Sequence, residues 1–198
     1  MCGRYLLDAD YEALIERYKI FEDFRDVYEK KIEIFPSQSI LALVHKGRER
    51  VMQELVWGLK IMPKRNLINS RIETILSGDL YNRLQPCIIP ATGYYEWEKV
   101  KKQKCKITSD TGLLNMAGLY DLNSKTVSII TTKAQASIEH VHDRMPLMIE
   151  TEELENWLTS MKIKAYLKDF ANKKALNFTV ENLEPTLQLS FFNDDFIS

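Results

Sequence analysis

Short β-rich runs, broken repeatedly by polar or turn-forming residues, dominate the chain and restrict it to a small set of folds. Ser39 to His45 and Val51 to Trp57 are two such runs, separated by the polar stretch KGRER, and they predict a hairpin. Further strand candidates are Cys87 to Ile89, Gly93 to Lys99, Lys104 to Thr108, Leu113 to Tyr120, Val127 to Thr132 and Phe178 to Asn182. Helices are fewer. Asp10 to Tyr18 sets Tyr11, Leu14, Ile15 and Tyr18 on one face. Arg71 to Leu84 and Lys162 to Ala175 are also predicted helical. Thr151 to Leu158 is a helix with Thr151 as its N-cap and with Glu152 and Glu153 placed to suit the helix dipole. Lys60 to Leu67 holds Pro63 and several charges and is predicted to be a loop; Ala134 to Met145 is predicted irregular. Many short strands with a few interspersed helices give an α+β fold around a strongly curved, mainly antiparallel sheet, an open barrel.

The chain has 198 residues, which suits a single domain over 1–198, with 150–198 as a helical closing segment. A domain of this size buries roughly 70% of the surface its unfolded chain exposes, so it needs no disulfide staples. The three cysteines, Cys2, Cys87 and Cys105, form no CxxC motif, and the odd count argues against a disulfide framework and a zinc site. Cys87 and Cys105 read as small buried hydrophobes. His140 and His142 suggest a metal pair but have no evident third ligand, so no metal is expected, nor any organic cofactor. No signal peptide and no run of about 18 apolar residues is present, and a reducing cytoplasm suits the cysteine usage.

Net charge is −1, which argues against a nucleic-acid partner until its distribution is considered. Between Lys46 and Lys106 there are 13 Lys and Arg against 6 Asp and Glu, a local excess of seven. A field polarised in this way can hold a phosphate backbone on one face, although a solvated basic face is the commoner outcome.

Four segments carry residues with chemical potential. In Met1-Cys2-Gly3-Arg4, removal of the methionine leaves Cys2 as a 1,2-aminothiol. An α-amine titrates just above neutrality, so it attacks an aldehyde without special activation. The adjacent thiol can then close onto the imine carbon and form a thiazolidine. The ring-opened abasic sugar is one of the few fixed aldehydes in a cell. In INSRIET, Asn69 can both donate and accept, and Arg71 offers a planar fork suited to phosphate, although the segment also reads as a polar loop leading into a helix. In PATGYYEW, Glu96 sits among aromatic residues whose packing would raise its pKa towards the range useful for proton transfer. Strand alternation sets Tyr95 and Trp97 on one side and Tyr94 and Glu96 on the other. In VHDRMP, His142 titrates near neutrality and can move a proton, or is simply a loop residue.

Taken in order, MCGRY, WGL at Trp57, INSRIET, CIIPATGYYEW, AGLYD, and ITTKA followed by HDRMP closely resemble the abasic-site processing (SRAP) family. The resemblance covers Cys2 to Ile149. It implies Cys2 as the crosslinking nucleophile, Asn69 as the residue that positions its amine, Glu96 as general acid/base, and His142 as a proton donor that assists reversal. It also implies that Arg4, Arg71 and Arg144 hold phosphates, and that Pro36, Trp57 and Trp97 supply apolar or stacking surface where DNA bends. The implied partner is single-stranded DNA containing abasic sites, bound by a monomer in the cytoplasm, at the nucleoid. The implied product is a thiazolidine crosslink, with some lyase activity and self-removal of Met1. Two rival readings stay open: a cysteine peptidase using Cys2, Glu96 and His142 in trans, and a non-covalent DNA- or modified-base-binding module. Compared with the family, the loop after Trp57 is short and carries Lys64 and Arg65 where aromatics are commoner, and the tail from Thr186 to Ser198 lacks the usual closing strand motif.

Overall fold

A computed structural model describes residues 2–62, 65–169 and 176–183. The chain opens with β1 (Arg4–Leu7) and α1 (Tyr11–Tyr18). In α1 the buried residues Tyr11, Leu14 and Tyr18 form the apolar face that the spacing predicts, and Lys19 ends the helix in a left-handed conformation. Next come β2 (Lys31–Ile34) and the predicted hairpin, β3 (Ser39–Lys46) and β4 (Glu49–Trp57). Its strands pair in unbroken register from Ser39↔Val56 to Lys46↔Glu49. The turn therefore shrinks to Gly47 and Arg48, and Gly47 takes the positive φ that so tight a reversal requires.

The segment expected to be a loop instead forms a ribbon of β5 (Leu59–Met62) and β6 (Arg65–Leu67). Burial of Leu59 against the core ties this ribbon down. Pro63 and Lys64 lie outside the described residues. After β7 (Asn69–Arg71), the expected long helix is cut short: α2 spans Ile72–Ser77, and a separate 3-10 turn covers Leu80–Arg83. Gly78 adopts an extended conformation that cannot continue the helix. The chain goes on through β8 (Gln85–Ala91), β9 (Gly93–Trp97), β10 (Lys104–Ser109), β11 (Leu114–Asp121), β12 (Thr126–Lys133) and β13 (Arg144–Pro146).

The last part holds a 3-10 turn at Thr151–Glu153, α3 (Leu154–Leu158), α4 (Ile163–Asp169) and β14 (Phe178–Asn182). Thr151 does not cap the turn; Glu150 occupies that place. The Thr151 hydroxyl accepts a hydrogen bond from Arg17 at 2.6 Å instead. The predicted extension of α4 to Ala175 and the tail from Thr186 both fall outside the described residues.

The strands form two main sheets. One is fully antiparallel, in the order β14-β10-β9-β1-β2. The other runs β11-β8-β3-β4-β12-β13, and a further β11–β12 pairing closes β11, β8, β3, β4 and β12 into a ring. The strongly curved, mainly antiparallel sheet expected from the sequence is thus present and curls round on itself, with a parallel contact of β12 with β4 that sequence periodicity does not register. β12 also pairs in parallel with β7 and antiparallel with β13; Thr131 is opposite both Arg71 and Pro146, so those strands flank β12 on opposite edges.

The run from β8 into β9 crosses from the ring to the antiparallel sheet. Gly93 marks the crossing: a Cβ there would lie 2.8 Å from the Ile107 carbonyl oxygen and 3.0 Å from Leu6. No helix among the described residues is long and apolar enough to cross a membrane.

Trp57, at the end of β4, is a fully buried core residue. Its indole N–H donates to the Ile68 carbonyl at 2.8 Å, and its ring packs edge-on against Tyr5 at 5.4 Å. The expected stacking surface for DNA at this position is therefore corrected: the ring is spent on the interior, and it holds the residue before Asn69. Trp57→Ala is expected to cost roughly 3–5 kcal/mol of stability, the usual range for removing a buried aromatic. Urea denaturation reads this directly; an unchanged midpoint would contradict the assigned role.

Candidate functional site

Cys2 immediately precedes β1. Because β1 runs antiparallel to β9, with Arg4 opposite Tyr95 and Tyr5 opposite Tyr94, Cys2 arrives at the Glu96–Trp97 end of that strand. Its side chain is fully buried, and its thiol donates to the Arg4 carbonyl at 3.6 Å. Its own carbonyl accepts a 2.8 Å hydrogen bond from Asn69 Nδ2. Asn69 belongs to β7 on the edge of the ring, so this bond ties the chain's beginning to the second sheet. The other end of the same amide, Oδ1, is buried with no partner among the described residues. An unused acceptor in such a place carries a desolvation cost and is ready for a donor.

Glu96 is 3% exposed, and burial pushes its carboxyl above the usual carboxylate range. Burial, and then the Glu96 charge, hold the Cys2 thiol far above an ordinary cysteine. The Tyr94 phenol is raised by burial and by the charges of Cys2 and Glu96. Tyr94 and Glu96 are both buried on one side of β9, as alternation along the strand predicts, and the Cys2 side chain is buried with them. The Tyr94 hydroxyl is buried with no partner among the described residues. Its proximity to the cysteine was not legible in the sequence, where Tyr94 is one aromatic among several.

His142 lies near the end of the segment between β12 and β13, which closes through the Ala134 N–H donating to the Asp143 carbonyl at 2.9 Å. Its Nδ1 lies 3.0 Å from the Arg144 backbone N–H and 2.9 Å from Asp143 Oδ1. A bare Nδ1 accepts from the amide; a protonated one donates to the carboxylate. Burial lowers the pKa of the ring, which favours its neutral form. Asp143 Oδ1 lies 3.6 Å from the ammonium of Lys99, two residues past the end of β9, so this segment reaches the Cys2 end of that strand. Three distant stretches of sequence thus meet around the first residues of the chain.

The predicted phosphate and stacking residues are placed less uniformly. Arg4 lies over the rings of Phe35 and Trp97, with its guanidinium carbon 4.7 and 4.9 Å from their centroids. Both rings are 36% exposed. Pro36 is half-buried in the turn just after Phe35. Arg71 is exposed, on the rim of an apolar cleft shared with Asn69, Leu67 and Tyr81.

Arg144 differs from expectation. Its guanidinium grips Glu73 through two bonds of 2.6 and 2.9 Å and donates to the Thr131 carbonyl at 2.7 Å. Its fork is already matched by a carboxylate on α2, so its charge is not offered to a phosphate in this state.

A family model described as SOS response associated peptidase (SRAP) matches residues 1–184. The abasic site processing protein YoaM of Bacillus subtilis (strain 168) is 30% identical over 208 residues, covering 93% of this chain and 89% of that protein. The abasic site processing protein YedK of Escherichia coli (strain K12) is 25% identical over 214 residues, covering 96% and 90%. A crystal structure of a Bacteroides thetaiotaomicron protein shares the fold with a TM-score of 0.73 at 22% identity, covering 90% of this chain and 91% of that one. A phage-related protein from Bordetella bronchiseptica, also solved by crystallography, gives 0.72 at 25% identity, covering 92% and 95%.

Proposed function

The chain belongs to the SOS response associated peptidase (SRAP) family, and from that premise we propose that it processes abasic sites by bonding covalently to single-stranded DNA through Cys2. The carrying observation is the amide of Asn69, whose Nδ2 fixes the Cys2 carbonyl at 2.8 Å while its buried Oδ1 awaits a donor. Removal of Met1 turns the Cys2 nitrogen from an amide into an amine, and Oδ1 is the acceptor that would orient that amine.

The amine attacks the sugar aldehyde, water leaves, and an imine forms at C1′. The Cys2 S–H then adds across the C=N bond, sulfur to carbon and hydrogen to nitrogen, closing the thiazolidine. The imine also acidifies the C2′ protons, so β-elimination and strand cleavage compete when capture fails. Glu96 moves protons during ring opening and closure. His142 returns a proton when the thiazolidine reopens. A peptidase working in trans needs a thiolate, and a thiol held protonated by burial is poorly suited to that.

The test is a denaturing gel. Abasic single-stranded oligonucleotide should give a product that survives boiling in detergent, in much higher yield than intact abasic duplex, because unstacked bases suit an aromatic, basic surface. A chase with excess competing abasic DNA reads reversal, which His142→Ala should slow. Equal yield on duplex removes the single-strand preference. Reversible binding alone supports the non-covalent module, and peptide turnover supports the peptidase.

A further inference from the structure

The outward face of the antiparallel sheet carries a charge arrangement that the covalent chemistry does not use. Arg4 Nη1 and Lys104 Nζ both donate to the same atom, Glu33 Oε1, at 3.0 and 2.6 Å. The three side chains come from β1, β10 and β2, and each keeps between a quarter and two-fifths of its surface exposed. The Lys104 ammonium also sits 4.2 Å from the centre of the Tyr95 ring. Phe35 and Trp97 flank the Arg4 guanidinium with partly exposed faces. One carboxylate thus faces two cations, which leaves a local positive excess. Lys101 and Lys102 add to it, exposed in the β9–β10 turn that leads to Lys104.

We infer that Lys104 completes the phosphate site already implied for Arg4, and that the Glu33 carboxylate is an internal stand-in for the phosphate of a single-stranded backbone. A phosphate offers two or more anionic oxygens, so it satisfies both donors without forcing them onto one atom. The exposed faces of Trp97 and Phe35 lie where bases adjoining that phosphate would stack. Arg4 is two residues from Cys2, so the site anchors the strand next to the lesion. Glu33 keeps the two cations positioned while the site is empty and competes with the backbone when DNA arrives. Lys104 is a further binding residue, and Glu33 sets how readily the strand is exchanged. The inference rests on the proposal that the chain binds single-stranded DNA.

The experiment measures binding of an undamaged oligothymidylate by fluorescence anisotropy across a salt series, beside the crosslinking gel on abasic DNA. Lys104→Gln should weaken binding and reduce the slope of log K against log salt by about 0.7, the loss of one single-strand phosphate contact. Lys104→Arg should keep the wild-type slope, which separates charge from packing. Glu33→Gln should tighten binding by roughly two- to fivefold, because a competing charge is removed. A wild-type slope in Lys104→Gln, or weaker binding by Glu33→Gln, overturns the site. If the wild-type protein crosslinks abasic DNA while the Lys104→Gln slope is unchanged, only this site fails. If the slopes change as expected while no crosslink forms, the covalent reading fails and the site stands.

Discussion

Cys2→Ala is expected to abolish the detergent-stable DNA product, and Cys2→Ser to leave only an imine that borohydride can trap. The two variants separate the two nucleophiles of one residue. Alanine keeps an N-terminal amine, so any imine it forms hydrolyses on the gel unless it is reduced. Serine has a hydroxyl in place of the thiol, and it is a far weaker nucleophile towards an imine carbon. Cys2 is fully buried, so each change also costs some packing, but the removed volume is small. Binding of undamaged single-stranded DNA is therefore the control: it should survive in both variants while the covalent product disappears. Crosslinking by Cys2→Ala at the wild-type yield would sink the central proposal.

Glu96→Gln is expected to slow crosslinking by roughly 10²–10⁴-fold, the usual contribution of a positioned general acid or base. The glutamine keeps the shape of the buried side chain but cannot shuttle a proton. Opening the sugar hemiacetal needs a base for the C1′ hydroxyl and an acid for the ring oxygen, and a carboxyl whose pKa is raised by burial keeps its proton to higher pH than an exposed one, which suits it to an exchange of protons. The pH dependence gives an independent reading. The wild-type rate should show an inflection above the ordinary carboxylate range, and the glutamine variant should lack it. A single-turnover time course across pH measures both. Wild-type rates and an unchanged inflection in Glu96→Gln would remove the carboxyl from the chemistry while leaving Cys2 as the attachment point.

Several parts of this fold were legible because they depend on neighbours in sequence. The β3–β4 hairpin follows from two apolar runs with a polar gap, and α1 from a four-residue face of aromatic and aliphatic side chains. The alternation of Tyr94 and Glu96 against Tyr95 and Trp97 is a property of any extended strand, and the structure keeps it. The β5–β6 ribbon was not legible, since its charges and Pro63 resemble a loop and only the burial of Leu59 holds it to the core. The end of α2 at Ser77 was available in principle, because Gly78 and Asp79 are ordinary stop signals.

The sequence by itself determined which chemistry was available: a cysteine that becomes N-terminal when Met1 is lost, a carboxylate inside an aromatic run, an asparagine and a histidine. These are identities, and no folding is needed to know what an aminothiol or an imidazole can do. The tertiary structure alone decided what each group faces. Trp57 and Arg144 looked like surface for DNA, yet one fills the core beside Tyr5 and the other is closed on Glu73. Arg4 was one of three arginines expected to hold phosphates, and it shares the oxygen of Glu33 with Lys104, from a strand far along the chain. The physical reason is range. Periodicity and turn propensity act over a few residues, whereas a side chain's partner is set by the order and register of strands, and those are fixed only when the sheets close.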